Sequence, residues 1–322
     1  MDEQELVNRI AHRVLAAVRE ELRLSQQERD SVQEQRIADA VMRRMFVPNL
    51  RLAPTTRDAA FMAHSTCSAA DFFHPQYAPT CALIGHAPAL HRKLWEWAFI
   101  IHKLRESGVV RPGARGIVFG VGQERLPALF ASLGASIVAT DAPPEIGKGT
   151  GWQLSNEYSD SVEKLRYPDI VANAVLDERV AFRFCDMTRI DADLTGFDFA
   201  WSSCSFEHLG SLEAGLQFVI DSVEKTLRAG GVACHTTEFN LSSDEATLSD
   251  GPTVIYRRRD MLDLVQRLTA LGHDVEPFTI APDAHVLDFH VDVPPYTQNP
   301  HLKLEMMGKF VTTSAGIVIR KR

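Results

Sequence analysis

Gly116-Ile117-Val118-Phe119-Gly120-Val121-Gly122 is the stretch of this 322-residue chain that decides its fold. A short apolar strand runs straight into two glycines one residue apart. Leu126, Leu129, Phe130 and Leu133 then recur at helical spacing and stop at Gly134. Ser136-Ile137-Val138-Ala139-Thr140 reads as a second strand and ends on Asp141, 21 residues after Gly120. Glycines in such a loop let the backbone pass close to a ligand where a Cβ would collide. The helix behind them is expected to aim unsatisfied N–H groups at a carboxylate or phosphate. An acid at the end of the second strand is placed to accept the hydroxyls of a ribose.

Strand and helix patterns keep alternating downstream, which marks a parallel sheet covered on both faces. Strands are expected at Val180–Cys185, Phe197–Ser202 and Val232–Thr237, near Val275–Ile280, and at Gly316–Arg320. Helices are expected at Asp160–Leu165, from Leu212 to Leu227, and at Arg259–Leu271. Ahead of the first strand, Leu90, Leu94, Trp97, Ile101 and Leu104 give one more apolar helical face, closed by Gly108 and Pro112. Residues 1–46 read as a helical arm: two helices or one bent one, interrupted by the polar run 25–36. The arm either mediates oligomerisation or folds onto the main domain. Residues 47–89, with Pro48, Pro54, Pro75 and Pro79, read as an irregular wrap, and residues 90–322 as one ligand-binding domain.

Composition narrows the function classes. Lys and Arg number 34 against 42 Asp and Glu, a formal charge of −8, which disfavours a general nucleic-acid binder. Five cysteines without a CxxC pair suggest neither a disulfide framework nor a zinc knuckle. No apolar run approaches the ~20 residues of a membrane span and no signal-peptide core is present, so a soluble, cytoplasmic protein is expected.

The glycine loop also bears on which nucleotide is bound. A dinucleotide site wants a third glycine where this chain has Arg125. A ligand without pyrophosphate, such as S-adenosylmethionine, needs only the first two. Asp186-Met187 follows the third strand, where a carboxylate can receive an adenine amino group and a methionine can cover the ring. Small residues, Ser202-Ser203-Cys204-Ser205, end the fourth strand and leave space for a reacting group.

On Gly120-Val121-Gly122, Asp141, Asp186-Met187, Ser203-Cys204-Ser205-Phe206-Glu207-His208 and Leu227-Arg228-Ala229-Gly230-Gly231, the chain resembles the Rossmann-like class of S-adenosylmethionine-dependent methyltransferases. More narrowly, it is similar to a bacterial group linked to glycan or lipopolysaccharide assembly. That likeness rests on His91-Arg92-Lys93-x-Trp95-Glu96, His235-Thr236-Thr237-Glu238-Phe239-Asn240 and Pro300-His301-Leu302-Lys303 followed by Thr313-Ser314. The resemblance implies a doubly wound, mostly parallel α/β sheet of seven strands with an N-terminal helical extension. It implies S-adenosylmethionine as cofactor, bordered by Gly120, Gly122, Asp141, Ala142, Asp186, Met187 and Ser203. The class usually places an acid two residues before the first glycine; here that residue is Val118, and Glu124 stands at the helix start to compensate.

Methyl transfer is an in-line displacement, and a hydroxyl acceptor needs a base for its proton. His208 after the fourth strand and Glu238 after the fifth are the candidates. His235, inside a strand, reads as a hydrogen-bonded core histidine. His285, His290 and Asp292 are metal-ligand types crowded into one late loop, but a polar lid or hairpin is the plainer reading, and no metal is expected. Trp95 and Trp97 face different sides of their helix, one toward the core and one, with Glu96, toward the cofactor pocket. Arg257-Arg258-Arg259 is a solvated helix start or a site for an acidic acceptor. The expected partners are a small-molecule or glycan acceptor and, through the arm, a second copy. The alternatives are an NAD-dependent oxidoreductase and a non-catalytic cofactor-binding partner protein.

Overall fold

Ile117, Val118 and Phe119 are wholly buried, as a strand flanked by neighbours on both edges and covered on both faces requires. In the computed structural model, which describes residues 3–44, 60–146 and 157–322 (side chains from residue 12 to 37 in the first segment), they belong to strand β1, Arg115–Val118, and the turn after it. Two units are distinguished: residues 1–49 with 293–297, and residues 50–292 with 298–322.

The first unit is dominated by a single helix, α1, Glu3–Arg44. Of the two expected forms, a pair of helices or one long helix, the structure has one helix running through residues 25–36. That run is mostly Gln, Glu and Arg with no Gly or Pro, and such residues sustain a helix even without an apolar stripe. Ser31 Oγ donates to the Pro294 carbonyl at 2.7 Å. Val14, Leu15, Val18, Leu22, Leu24, Val32 and Ile37 are exposed on the helix.

The second unit is built on a nine-stranded sheet. β1 pairs in parallel with β2, Ser136–Asp141, and β2 with β3, Val180–Phe184. On its other edge β1 pairs in parallel with β4, Phe197–Ser203, and β4 with β6, Leu227–Asn240. Strand β11, Phe310–Arg320, returns antiparallel against β6 over nine residue pairs, Thr312–Arg320. Its far edge is shared by β8, Asp274–Val275, at one end and β10, Lys303–Met306, at the other, with β9, Val291–Asp292, beside β10. The fold is thus the expected doubly wound Rossmann-like sheet, with β9 and β10 added to the expected seven strands. They come from the His-, Asp- and Pro-rich stretch, which has no long apolar run to announce them. A separate two-stranded ribbon joins β5, Gly210–Ser211, to β7, Asp250–Gly251.

Other differences are local. Residues 60–89 of the expected wrap hold two short helices, α2 (Ala69–Phe73) and α3 (Tyr77–Leu83). Pro48 and Pro54, like the arm residues Val7, Ile10, Ala40, Val41 and Met45, lie outside the described side chains. A seven-residue helix, Asn173–Arg179, had no signal beyond Val175 and Leu176.

Helix α4, Arg92–Glu106, lies across β4, β6 and β11. The His91 side chain accepts from the Lys93 N–H at 3.1 Å and starts it; Gly108, at φ +73°, follows its end. Leu94, Trp95, Ala98, Phe99, Ile101 and Leu104 are buried against the sheet. The opposite face is covered by helices Leu212–Asp221 and Arg258–Ala270, whose Phe218, Val219, Leu264 and Leu268 pack with Ile117, Phe119 and Ile317. Among the described residues no helix is long and apolar enough to cross a membrane.

Close approach of α4 depends on Gly316 of β11, where a Cβ would lie 2.2 Å from the Phe99 ring. Gly316→Ala is expected to cost about 1–3 kcal/mol through overpacking. A urea midpoint that falls at unchanged slope is the expected outcome; an unchanged midpoint contradicts this account of the contact.

Candidate active site

The chain leaves β1 toward β2 and β3, then comes back to place β4 on the other edge of β1. At such a reversal the connections after the two central strands diverge and leave a crevice at their carboxyl ends. Gly120 and Gly122 line it with φ of +62° and +51°, the left-handed region that favours glycine. A Cβ on Gly120 would sit 2.6 Å from Ser205 Oγ, and one on Gly122 would sit 2.7 Å from the Glu157 carbonyl. Both glycines are therefore required by the walls as well as by the turn.

The crevice encloses a cavity of about 350 Å³, within the range of small-molecule sites. Gly120, Gly122, Asp141, Ala142, Met187, Ser203 and His208, all singled out from the sequence, line it together. Trp97 and Lys93, one turn apart on α4, also line it, along with Glu124, Ile146, Glu157 and Cys204. Asp186 is not on this wall. Its Oδ1 accepts from the Thr188 N–H at 2.8 Å and from Thr188 Oγ1 at 2.7 Å, so it ties the turn that presents Met187. Glu238 is not on the wall either; it is buried beside Arg92, whose guanidinium lies 2.8 Å from its Oε2.

Asp141 does structural work in the loop. Its Oδ2 accepts the N–H groups of Gly122 at 3.0 Å and Ser159 at 2.9 Å, and Oδ1 accepts from Ala142 at 2.8 Å. Burial raises its pKa, and these three N–H donors pull it back. A carboxylate has about four lone-pair directions, so roughly one is left for a ligand hydroxyl. The helix after the loop, α5 (Leu126–Ser132), starts late and carries Pro127 in its first turn, and the Gly122 N–H is already donated to Asp141. The expected array of N–H groups aimed at an anion is not what this loop builds.

The electrostatics favour a cation instead. Among the described residues the lining carries three carboxyl groups, Glu124, Asp141 and Glu157, against one lysine, Lys93. Arg125, at the third-glycine position, turns outward. It pairs with Asp169 and stacks over the Tyr167 ring, 4.3 Å from its centroid. Glu124 is buried on the cavity wall and accepts from Trp201 Nε1 at 2.6 Å. Burial pushes its pKa up to about 8; the Trp201 hydrogen bond opposes this, while Glu96 and Asp141 add to it.

Behind the wall lies a buried polar hub. Glu96 Oε1 accepts from Cys204 Sγ at 3.0 Å and from Ser314 Oγ, and Oε2 accepts from Ser203 Oγ at 3.1 Å and Thr236 Oγ1 at 3.4 Å. Arg92 lies 3.5 Å from Oε1 and Lys93 3.8 Å from Oε2. Burial works against its charge, but Lys93, Arg92 and the hydroxyl and thiol donors together hold its pKa below the usual value. Trp95 is buried in the core and donates to Asp71 at 2.8 Å, so Trp97 is the tryptophan that reaches the cavity. Cys204 takes φ +45°, an uncommon conformation for a non-glycine residue, at the point where β4 turns into the cavity wall.

His208 Nδ1 lies 2.9 Å from the Pro252 carbonyl and 3.1 Å from Thr253 Oγ1, and its Nε2 lies 4.0 Å from Glu207 Oε1. His235 is a core residue: Ser202 and Ser222 hydroxyls flank its two nitrogens at 2.8 and 2.9 Å, and burial pushes its pKa down to about 3. The late loop is held internally, with Asp292 2.6 Å from His301 and His285 bonding the Leu287 N–H at 3.1 Å. Among the described residues no group of three or more His, Cys, Asp or Glu side chains is arranged to hold a metal. In the basic run, Arg257 pairs with Asp260, and Arg259 with Glu245.

Sequence reasoning passed over Lys93 and Glu157 as cavity residues. For Lys93 the available signal was its i, i+4 spacing to Trp97, with the neighbouring Arg92 and Glu96 on the buried face.

No protein-family model matches the sequence, and no curated protein matches it. Solved structures with partial likeness include a putative sarcosine dimethylglycine methyltransferase from Galdieria sulphuraria, at 16% identity over 57% of this chain and 60% of that one, TM-score 0.39. A DhpI complex with S-adenosylhomocysteine matches at 15% identity over 69% and 81%, TM-score 0.39. A TehB-like S-adenosylmethionine-dependent methyltransferase from Corynebacterium glutamicum matches at 16% identity over 77% and 95%, TM-score 0.38. The chain thus spans about 60% of the length of the first of these.

Glu124 has a consequence for stability. Its folded pKa of about 8 lies above the ordinary 4.5, so between those values the folded state holds a proton the unfolded state has lost. Stability of the ligand-free protein is expected to fall by a few kcal/mol as pH rises through this window and then level off. Glu124→Gln, which keeps an acceptor for Trp201, is expected to lose this component. Denaturation midpoints of both proteins from pH 5 to pH 9 test it; parallel profiles would sink the assignment.

Proposed function

We propose that the protein is an S-adenosylmethionine-dependent methyltransferase acting on a hydroxyl of a small polar or glycan-borne acceptor. The observation that carries this reading is the acid-lined cavity at the strand reversal. Its carboxyl groups suit a sulfonium and an ammonium and repel a pyrophosphate, which weighs against a nicotinamide dinucleotide. Gly120, Gly122, Asp141, Ala142, Met187 and Ser203 line one cavity of about 350 Å³, so the residues present fit a ligand laid against the loop. Gly120 and Gly122 would border its methionine end, Asp141 and Ala142 its ribose, Met187 its adenine, and Ser203 the reacting end. Asp186 would act on the adenine side through the turn it ties. Structures described as holding S-adenosylmethionine or S-adenosylhomocysteine are among those sharing part of the architecture.

When bound, the cofactor supplies an electrophilic methyl carbon on sulfur. The protein holds the acceptor in line and keeps water out, which is where most of the rate enhancement of such a displacement arises. Trp97 and Leu209 give the cavity apolar walls beside Lys93 and His208. His208, on the cavity wall, takes up the proton of the acceptor hydroxyl. Glu238 serves as a positioning residue through Arg92. The glycan-borne acceptor rests on the likeness of the His91–Glu96 and His235–Asn240 segments to the bacterial group.

Titration calorimetry should show S-adenosylhomocysteine binding and no response to NADH, with Asp141→Ala weakening the former at least tenfold. Binding of NADH alone would overturn the reading. With methyl-labelled donor and fractionated cell extract, His208→Ala is expected to lower label transfer by about 10²–10⁴-fold at near-unchanged S-adenosylhomocysteine affinity. Full transfer by the variant would remove His208 as the base.

The arm, residues 1–46, is the proposed oligomerisation element, since α1 exposes Val14, Val18 and Leu22 at a spacing of four. Light scattering should report an oligomer that Val18→Glu with Leu22→Glu reduces to monomer. An unaltered mass would dismiss this role.

A further inference from the structure

Two buried glutamates near the cavity differ in how their charge is met. Glu96 has Arg92 and Lys93 within 4 Å and four hydroxyl or thiol donors. Glu124, 5% exposed on the cavity wall, has one side-chain donor among the described residues, Trp201 Nε1, and no Lys, Arg or His at ion-pair distance. The charged or titratable groups nearest it are Glu96 and Lys93 on α4, Asp141 at the end of β2, and Tyr167. Two of those four are acids that oppose a second negative charge, and Lys93 is engaged with Glu96. A carboxyl so placed stays neutral until a cation enters the cavity, since an unpaired buried carboxylate is too costly.

We infer that Glu124 is the counter-ion for the ammonium group of the bound amino-acid moiety, ionising to solvent as that group arrives. The inference rests on the S-adenosylmethionine reading and deepens it. The proton balance closes without a co-reactant: the ligand ammonium enters already protonated, the Glu124 O–H bond breaks, and the proton leaves to the buffer. The resulting ion pair is enclosed, so it contributes far more than a surface pair. The Glu124 pKa of about 8 means that the site starts protonated at neutral pH and releases nearly one proton per ligand there, but little above pH 9. Affinity for an ammonium-bearing ligand therefore rises with pH up to about 8 and falls again where the ligand's own ammonium loses its proton. The acid that the glycine-loop strand lacks at Val118 is replaced by one that follows the loop.

The test is calorimetry of the full chain with S-adenosylhomocysteine and with 5′-methylthioadenosine, which shares the nucleoside and lacks the amino-acid end. Titrations in two buffers of different ionisation enthalpy count the protons released. For the native chain, release accompanies S-adenosylhomocysteine and is absent with 5′-methylthioadenosine. Glu124→Gln is expected to weaken S-adenosylhomocysteine tenfold to a hundredfold, abolish proton release and leave 5′-methylthioadenosine within twofold. Glu124→Asp, which keeps the charge, should retain proton release and bind more tightly than the Gln variant. Equal loss for both ligands, or an unchanged affinity and proton count in Glu124→Gln, overturns the assignment while the cofactor reading stands. A native chain that binds neither nucleoside overturns the cofactor reading and this assignment with it.

Discussion

Glu96 keeps its negative charge at the centre of the protein, where an uncompensated carboxylate would carry a desolvation penalty of several kcal/mol. Compensation comes from every element around the site. Helix α4 supplies Arg92 and Lys93, β4 supplies Ser203 and Cys204, β6 supplies Thr236, and β11 supplies Ser314. Each donor must lie level with the carboxylate, so Glu96 is the point at which three strands and a helix meet. The cavity wall at Ser203 and Cys204 is the outer surface of that arrangement.

The same hub explains why Glu238 is withdrawn from chemistry. Arg92 lies within reach of both Glu96 and Glu238, so the second glutamate balances charge in the interior rather than meeting a substrate. The cavity side is electrostatically unfinished by contrast. Glu124 and Asp141 are acids raised by burial, one waiting for a charge partner and the other steadied by backbone N–H groups. A site with that imbalance selects cationic ligands before any shape complementarity is considered.

Much of this was legible from residue order. The glycine pair after β1, the acid ending β2 and the small residues ending β4 have local causes: a turn that excludes Cβ, a strand end, a need for space. His208 and Met187 were legible for the same reason, since residues just past a parallel strand face the crevice. Asp186 does not line the cavity because its carboxylate closes a turn on Thr188, a short-range competition that spacing does not reveal. One of Trp95 and Trp97 was expected at the pocket, and Trp97 is the one that lines it. Lys93 and Glu157 come from outside the glycine-loop segment, and the packing of α4 on the sheet, made possible by Gly316, brings Lys93 there.

By itself the amino-acid order determined the alternation of strands and helices, the doubly wound sheet and the location of a nucleotide-type crevice, because hydrophobic period and glycine placement act over a few residues. The tertiary structure decided which charges are satisfied. Whether a glutamate is paired, as Glu96 is, or held neutral on a cavity wall, as Glu124 is, depends on neighbours contributed by α4, β2 and β4. Charge compensation in a low-dielectric interior acts through space, and sequence distance carries no information about it.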